Sequence, residues 1–515
     1  MAEISSNRTI AKNTLMLYMR MALTMAVSLY TSRVILSVLG VVDDGIYNIV
    51  GGAVGMFMFL NGALSGATSR FLTYELGKDN KERLKQTFSA ALMVHIILAI
   101  VILILLETVG LWLLDKKLVI PDDRMHAAKV VYQLSAFATL LSITQVPYSA
   151  SIISHEKMGT FAYMSLLEVT LKLLICYLIK ISPMDKLITY GILVLCVRTL
   201  VRMIYRVYCI RHFEECHFHI VKDWNLIKPI LSFSSWDLMG NFSSMARDQG
   251  VSVVLNMFFG PAINSAAGKA GVICTAVNGF SQNFLTAIKP PIVKSYAMGN
   301  IRKMEELMIT ASKYSYSLLM LLSLPFFFES QFVIDLWLEN PPEYSAIFCS
   351  LGLGFGLLVA IFLPLVYAIH ASGDIRFMSV VNGSIWVSVV PITYVFLWLG
   401  WSPIVPYVAK YFLLLFVVIS NLHSVKKNIP EFDRGMFLKN TILPDLASAA
   451  ISIALTALVY YQFDGSSWWR FLSVCTVSTI SVCATVFFIV FDKPMRAAVI
   501  EKAKDIWSKI RKKNG

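Results

Sequence analysis

Residues 187–209 read LITYGILVLCVRTLVRMIYRVYC. The stretch is long and apolar enough to cross a bilayer as a helix, which takes about 20 residues. It nevertheless carries Arg198, Arg202 and Arg206, each one helical turn from the next. A charge at bilayer depth costs about 3 kcal/mol on insertion scales, so it persists only beside a cavity or a partner. The stretch therefore predicts a transmembrane helix with a basic face turned toward the interior of a bundle.

Similar apolar stretches recur along almost the whole chain of 515 residues, of which 57% are hydrophobic and 15% charged. Soluble domains carry about 25% charged residues. Backbone polar groups in lipid must be satisfied within each segment, which favours helices. We therefore predict an all-α polytopic membrane protein. Its transmembrane helices number about fourteen and lie near residues 13–38, 46–69, 86–113, 128–152, 161–179, 187–209, 229–258, 263–288, 305–327, 345–369, 378–400, 404–424, 441–461 and 468–490.

The net charge of +13 is not spread evenly over the connections between these stretches. If the N-terminus is cytoplasmic, most connecting Lys and Arg residues also lie on the cytoplasmic side, as the positive-inside rule requires. Residues 329–344, on the outer side, contain four acidic residues and no Lys or Arg. We therefore expect both termini in the cytoplasm and membrane lipids, not nucleic acid, as the surroundings of the basic residues.

Two polar stretches, 211–228 and 426–439, divide the chain into six, six and two spans. The predicted parts are an N-terminal lobe (1–210), a cytoplasmic linker (211–228), a C-terminal lobe (229–425), two extra C-terminal helices (426–491) and a basic amphipathic cytoplasmic tail (492–515).

The two blocks of six spans look alike in sequence. VILSVLG at 34–40 corresponds to VVLNMFFG at 253–260, and both end on glycine. ELGKDNKERL at 75–84 corresponds to AMGNIRKMEEL at 297–307, with one extra residue. Parallel repeats of six spans are a common transporter plan, with the substrate site between the halves.

Several basic residues fall within the apolar stretches and are candidates for binding an anion in a central cavity. These are Arg20, Lys172, Arg198, Arg202, Arg247, Lys269 and Lys313. An arginine fork binds phosphate oxygens two at a time, so clustered arginines suit a phosphate or pyrophosphate group. Lys172 follows Glu168 by four residues, so an ion pair within one helix is the competing interpretation.

Three acidic residues at similar depth, Glu168, Asp237 and Asp248, are candidates for coupling transport to H⁺ or Na⁺. Buried carboxylates serve as proton relays in transporters. They also serve as charge-balancing partners of buried cations, and the sequence leaves both roles open.

Some chemistry is missing from the sequence. It contains no GxxxxGK[ST] loop, no HExxH and no GxSxG motif, so we expect neither an ATPase nor a hydrolase. Residues 216–219 read CHFH but lack a second ligand pair at a zinc-type spacing. We expect no enzyme activity, no cofactor and no metal.

Several segments resemble bacterial polysaccharide-export flippases of the Wzx type, which belong with MATE exporters and the lipid II flippase in the MOP superfamily. The resemblance is carried by AKNTLMLYMRMALTMAVSLYTSRVILSVLGVVDDGIYNIVGGAV at 11–54, ATSRFLTYELG at 67–77, PYSASIISHEKM at 147–158, LNMFFGPAINSAAGKA at 255–270 and NFLTAIKPPIVKSYAMGN at 283–300.

The resemblance implies a V-shaped pair of six-helix lobes around a cationic cavity. It also implies export of an undecaprenyl-pyrophosphate-linked oligosaccharide across the bacterial inner membrane, for lipopolysaccharide or capsule synthesis, in association with polysaccharide polymerase machinery. Two other classes stay open. One is a MATE-like, ion-coupled exporter of small molecules, and the other is an integral-membrane polymerase or glycosyltransferase.

Overall fold

The computed structural model describes residues 7–55, 59–116, 120–337, 341–463, 467–497 and 499–501. These residues are almost entirely helical and contain no β-strand. The α-helices are α1 (Asn7–Gly55), α2 (Phe59–Lys78), α3 (Lys81–Leu105), α4 (Leu111–Lys116), α5 (Met125–Ser154), α6 (Met158–Ile181), α7 (Lys186–His212), α8 (Trp224–Ala297), α9 (Ile301–Trp337), α10 (Ser345–Ser372), α11 (Arg376–Trp398), α12 (Val405–Asn428), α13 (Arg434–Tyr460) and α14 (Trp468–Thr485).

Nine helical segments within the described ranges are long and apolar enough to cross a membrane, judged by length and composition. The prediction of an all-α protein with many apolar helices is therefore confirmed. The count of about fourteen spans and the arrangement in two lobes stay predictions. Most of the predicted tail helix at 492–515 lies outside the described residues.

Helix α1 changes direction at Gly40, whose backbone is not helical (φ 77°, ψ 169°). A Cβ built on Gly40 would meet no atom within 4 Å. The position therefore requires glycine for its backbone dihedral and not for space. The kink lies at the glycine where the sequence comparison ended the first long helix. Gly260, its predicted counterpart, lies inside the continuous helical run of α8.

Helix α8 contains 74 residues. A straight helix of this length would extend about 110 Å, several times the bilayer core of about 30 Å. A Cβ on Gly66 would lie 3.2 Å from Asp237 Oδ2 and 3.8 Å from Lys289 Nζ. These two residues of α8 therefore meet at one point, so α8 folds back and supplies two arms.

The chain forms two compact units. The first comprises residues 1–246, 286–304 and 367–384, and the second comprises residues 247–285, 305–366 and 385–515. In the first unit, α5 packs against α1, α2, α3, α6 and α7. In the second unit, one apolar core joins residues of α8 through α14, among them Leu255, Leu319, Phe348 and Val389.

Arg124 connects three helices of the first unit, α1, α5 and α7, through ion pairs with two aspartates. Arg124, just before α5, donates to Asp43 Oδ1 at 2.8 Å and to Asp185 Oδ2 at 2.6 Å. Asp43 follows the kink of α1, and Asp185 is the N-cap of α7. The hydrogen bonds from Arg124 hold the pKa of Asp185 below its ordinary value. The contact fixes the relative positions of the ends of α1, α5 and α7.

The two blocks repeat one turn geometry after their second span. Asp79 (φ 57°) and Gly299 (φ 73°) both have left-handed backbones. Asn80 and Asn300 follow them, and each side chain accepts from a backbone N–H three residues on, at 3.0 Å and 3.1 Å. This geometry aligns Asn80 with Asn300 directly, without the extra residue that the sequence comparison introduced.

A second pair of turns agrees. Glu156 (φ 58°) follows α5, and Gly373 (φ 87°) follows α10. Each of these residues donates its backbone N–H to the carbonyl three residues earlier, at 2.9 Å and 3.1 Å. The recurrence of the same turn after corresponding helices supports an internal repeat. The residue boundaries of the predicted lobes stay a prediction.

Candidate functional site

Glu168 of α6 lies at the centre of a group of basic side chains in the first unit. Its Oε1 accepts from Arg198 Nη1 of α7 at 2.9 Å and lies 3.0 Å from Lys172 Nζ of its own helix. The side chains of Arg198 and Lys172 are 30% and 46% exposed. Both ammonium and guanidinium groups therefore remain partly accessible while they bind the carboxylate.

Arg20 of α1 adds a third cation to this group. Its guanidinium lies 4.8 Å from the centroid of the Phe161 ring. Tyr205 of α7 interacts electrostatically with Arg20 on one hand and with Glu168 on the other, so it links Arg20 to the group around the carboxylate. Arg20 forms no ion pair with any described residue. We call Arg20, Glu168, Lys172 and Arg198 the Glu168 cluster, in which two cations bind one carboxylate and a third, Arg20, is linked to it through Tyr205.

Arg202 does not belong to the Glu168 cluster, although it lies one turn from Arg198. It interacts with Tyr148 of α5 and with Arg206. Its Nε is buried and has no hydrogen-bond partner among the described residues. The basic face predicted from the sequence is thus divided between two neighbouring helices, because α7 packs against both α5 and α6.

The second unit holds a comparable group around Asp248 of α8. Arg247 donates to both oxygens of this carboxylate at 2.9 Å. Lys410 of α12 donates to Asp248 Oδ1 at 3.2 Å. The Arg247 guanidinium lies 4.8 Å from the centroid of the Trp386 ring of α11. We call Arg247, Asp248 and Lys410 the Asp248 cluster; it sets two cations against one carboxylate.

Asp237 of α8 lies in a third, more buried group in the first unit. It is 8% exposed, and its Oδ1 is 3.7 Å from His370 Nε2. Lys289 approaches the same carboxylate. Arg70 of α2 donates to the carbonyls of His370 and Ala371, both at 2.9 Å, and so caps the end of α10. We call Arg70, Asp237, Lys289 and His370 the Asp237 cluster.

Two further predicted residues lie apart from these clusters. Lys269 is exposed, and its ammonium lies 6.0 Å from the centroid of the Trp337 ring. Lys313 is 6% exposed and lies 3.4 Å from Asp492 Oδ1. Of the seven predicted basic residues, the structure groups Arg20, Lys172 and Arg198 in one place and Arg247 in another.

The sequence interpretation missed Arg70, Lys289, His370 and Lys410. Arg70 and Lys289 lie within segments that carry the family resemblance, at 67–77 and 283–300. Both could have been selected as charges inside an apolar stretch. Lys410 lies within the predicted span 404–424 and carried the same signal. His370 lies just past the span 345–369 and gave no such signal, and its partner Asp237 is on a helix distant in sequence.

No protein-family model matches the chain, and no curated protein matches its sequence. Solved structures match its fold. A MOP superfamily transporter from Pyrococcus furiosus Vc1, whose binding pocket of reverse polarity suggests a different function, superposes with a TM-score of 0.65 at 12% identity, over 83% of this chain and 98% of that one. The fold is that of MOP superfamily transporters.

Two further solved structures agree with this fold. An outward-facing multidrug resistance MATE family transporter gives a TM-score of 0.64 at 13% identity, over 83% of this chain and 97% of that one. The MATE transporter ClbM in complex with Rb⁺ gives 0.56 at 12% identity, over 95% and 96%. The solved structures that share the fold are transporters, and the chain has the architecture of a multi-pass membrane protein.

Proposed function

We propose that this protein is a Wzx-type flippase. Its substrate would be an undecaprenyl-pyrophosphate-linked oligosaccharide, moved from the inner to the outer leaflet of a bacterial cytoplasmic membrane for lipopolysaccharide or capsule synthesis. One observation carries the proposal: the Glu168 cluster contains three cations and one carboxylate, and the carboxylate binds only two of the cations among the described residues. Excess positive charge at membrane depth is costly unless an anion compensates it.

Arg20 and Arg198 are the residues that we assign to the pyrophosphate. Arg20 has no carboxylate partner among the described residues, and Arg198 shares Glu168 with Lys172. Both planar guanidinium groups can bind two phosphate oxygens at once. Lys172 and Arg247 would add positive charge, whereas Arg202, Lys269 and Lys313 lie apart from these clusters and are not assigned to the pyrophosphate.

In the proposed cycle, two six-helix lobes rock and open the cationic cavity to one side of the membrane at a time. The polyprenyl tail stays in lipid while the sugar crosses inside. Arginine side chains offset the cost of dehydrating the pyrophosphate. Both termini would lie in the cytoplasm, next to the polysaccharide polymerase machinery of the same membrane.

Among the three acidic candidates, Asp237 is the one that we propose for coupling to H⁺ or Na⁺. Glu168 and Asp248 each bind two cations, and these ion pairs favour the ionised carboxylate. Asp237 is 8% exposed and has Lys289 as the cation acting on it. A buried acid with fewer partners changes its protonation more easily during transport.

A MATE-like exporter of small molecules is the second candidate, since solved MATE transporters share the fold. The charge of the Glu168 cluster decides between the two, because a cationic drug would be repelled by three cations. The Pyrococcus furiosus transporter is a case in which pocket polarity is linked to function.

The test uses purified protein in vesicles that hold a fluorescent lipid-linked oligosaccharide. The wild type should move the lipid to the opposite leaflet, Arg198→Ala should lower the initial rate about tenfold, and Arg198→Lys should restore it only in part. Lys269→Ala is the matched control, because it removes an exposed cation outside the clusters. Its rate should equal that of the wild type.

Two outcomes would contradict the proposal. One is movement of a cationic dye, with no movement of the oligosaccharide lipid, which would favour the MATE-like exporter. The other is an unchanged rate in Arg198→Ala, which would remove the anion-binding role of the Glu168 cluster.

A further inference from the structure

The second unit contains a buried carboxylate that the proposed transport site does not use. Asp445 of α13 is 0% exposed. Neither of its oxygens has a hydrogen-bond partner among the described residues. Unpaired polar atoms of this kind are rare in folded proteins, since buried polar groups are usually hydrogen-bonded.

The surroundings of Asp445 are polar, but they supply no hydrogen-bond partner for its carboxylate among the described residues. The buried face of α13 continues through Ser448 and Ser452, whose hydroxyls bind the Thr485 hydroxyl of α14 at 2.8 Å and 3.0 Å. Small polar residues allow helices in membranes to approach closely. Close packing of α13 against α14 therefore explains why Ser448, Ser452 and Thr485 lie at this contact. The Asp445 carboxylate takes no part in these hydrogen bonds.

One cation acts on this carboxylate. Lys313 of α9 is 6% exposed and interacts electrostatically with Asp445. Its ammonium nevertheless lies 3.4 Å from Asp492 Oδ1, on a side chain that is 72% exposed. Among the residues that the structure describes, the other titratable group that acts on Asp445 is Tyr316, also on α9. Helix α14 presents the Thr485 hydroxyl.

We propose that Asp445 is a proton-binding site and that its protonation decides which carboxylate Lys313 binds. An ionised carboxylate without partners is costly in such an interior, so the neutral acid is the favoured form here. With Asp445 neutral, Lys313 binds Asp492, as the structure shows. With Asp445 ionised, the ammonium turns to it and releases Asp492.

The proposal does not depend on the transported substrate. The only chemical change is the transfer of one proton between Asp445 and water. Protonation of Asp445 would also affect the C-terminal tail, because the tail begins at Asp492. A proton in the membrane interior would thereby hold the start of this tail against α9.

The first test measures protonation of the carboxyl group. It uses infrared difference spectroscopy of the full chain in nanodiscs during a pH titration. The wild type should show a protonated carboxyl band that Asp445→Asn removes. Asp335→Asn, an exposed acid at the end of α9, should leave the band in place. Lys313→Met should extend the band to higher pH, since it removes the cation that favours ionisation.

The second test reads the exchange of partners. A spin label at Lys493→Cys, in a background without the eight native cysteines, should be immobile at low pH and mobile at high pH. In Asp445→Asn the label should stay immobile throughout.

Two results would overturn the proposal. A band that survives in Asp445→Asn, or no band in the wild type at any pH where it stays folded, would show that Asp445 does not take up a proton. A label whose mobility changes equally in wild type and Asp445→Asn would show that another group releases the tail. If Asp445→Asn fails to fold, Lys313→Met still tests the first claim, because it leaves the carboxyl in place.

Discussion

The two blocks compared in the sequence share the backbone geometry of two turns, but their charged clusters differ. Asp79 and Glu156 in the first block adopt the same left-handed backbone as Gly299 and Gly373 in the second. The Glu168 cluster of the first block has three cations for one carboxylate, whereas the Asp248 cluster has two.

The clusters also differ in how their arginines are held. Arg247 and Asp248 are neighbours on one helix and bind through two hydrogen bonds. Arg198 and Glu168 belong to different helices, and Arg20 has no carboxylate among the described residues. The two blocks therefore share backbone turns, while the larger excess of positive charge, which we assign to substrate binding, lies in the first block.

The largest expected effect is on the free energy of unfolding, and it distinguishes the two glycine turns of the second block. Gly373→Ala should lower the free energy of unfolding by about 3 kcal/mol, because the new Cβ would lie 2.4 Å from Arg70 Nη2 and would disrupt hydrogen bonds from a charged donor. Gly299→Ala should cost about 1 kcal/mol, since its Cβ meets no atom within 4 Å and only backbone strain remains.

Denaturant unfolding of both variants in the same detergent measures this difference. Equal destabilisation would show that the Arg70 cap on α10 contributes nothing beyond the backbone strain that both glycine turns share.

The next effect concerns the free arginine. Arg20→Ala should lower the initial rate of oligosaccharide-lipid transport at least tenfold, about 1.4 kcal/mol, because no carboxylate in the described structure shares its charge. Arg247→Ala should lower the rate about threefold, since Asp248 already neutralises that guanidinium. Size-exclusion profiles check that both variants remain folded, and a larger loss in Arg247→Ala would reverse the comparison.

Part of this site could be predicted from the sequence. The Glu168–Lys172 pair follows from a spacing of four residues on one helix, and the Gly40 kink from a glycine that ends an apolar run. The Arg198–Glu168 contact could not be predicted, because it depends on which faces of α6 and α7 meet. For the same reason the sequence did not connect Lys410 with Asp248, or Lys313 with Asp492.

A smaller effect is expected on substrate binding when the carboxylates of Glu168 and Asp248 are neutralised. Glu168→Gln should tighten binding of the fluorescent oligosaccharide lipid three- to fivefold, about 0.7–1 kcal/mol, because Arg198 and Lys172 lose their internal acceptor. Asp248→Asn should change binding less than twofold. The Asp248 side chain is 52% exposed, and water already screens its ion pairs. Titration in micelles measures both, and weaker binding in Glu168→Gln would contradict anion recognition by this cluster.

The smallest expected effect concerns the aromatic rings against the two arginines. Arg20 lies 4.8 Å from the Phe161 ring and Arg247 lies 4.8 Å from the Trp386 ring. A cation–π contact contributes about 0.5–1 kcal/mol at partly exposed sites. Phe161→Leu should therefore lower the transport rate two- to threefold, because no carboxylate among the described residues holds the Arg20 side chain once the ring is gone. Trp386→Leu should leave the rate within about 30% of the wild type, because two hydrogen bonds to Asp248 still hold Arg247 and each is worth more than the ring. Transport assays on both variants decide the matter: a larger loss in Trp386→Leu than in Phe161→Leu would mean that Arg247, and not Arg20, depends on its ring for position.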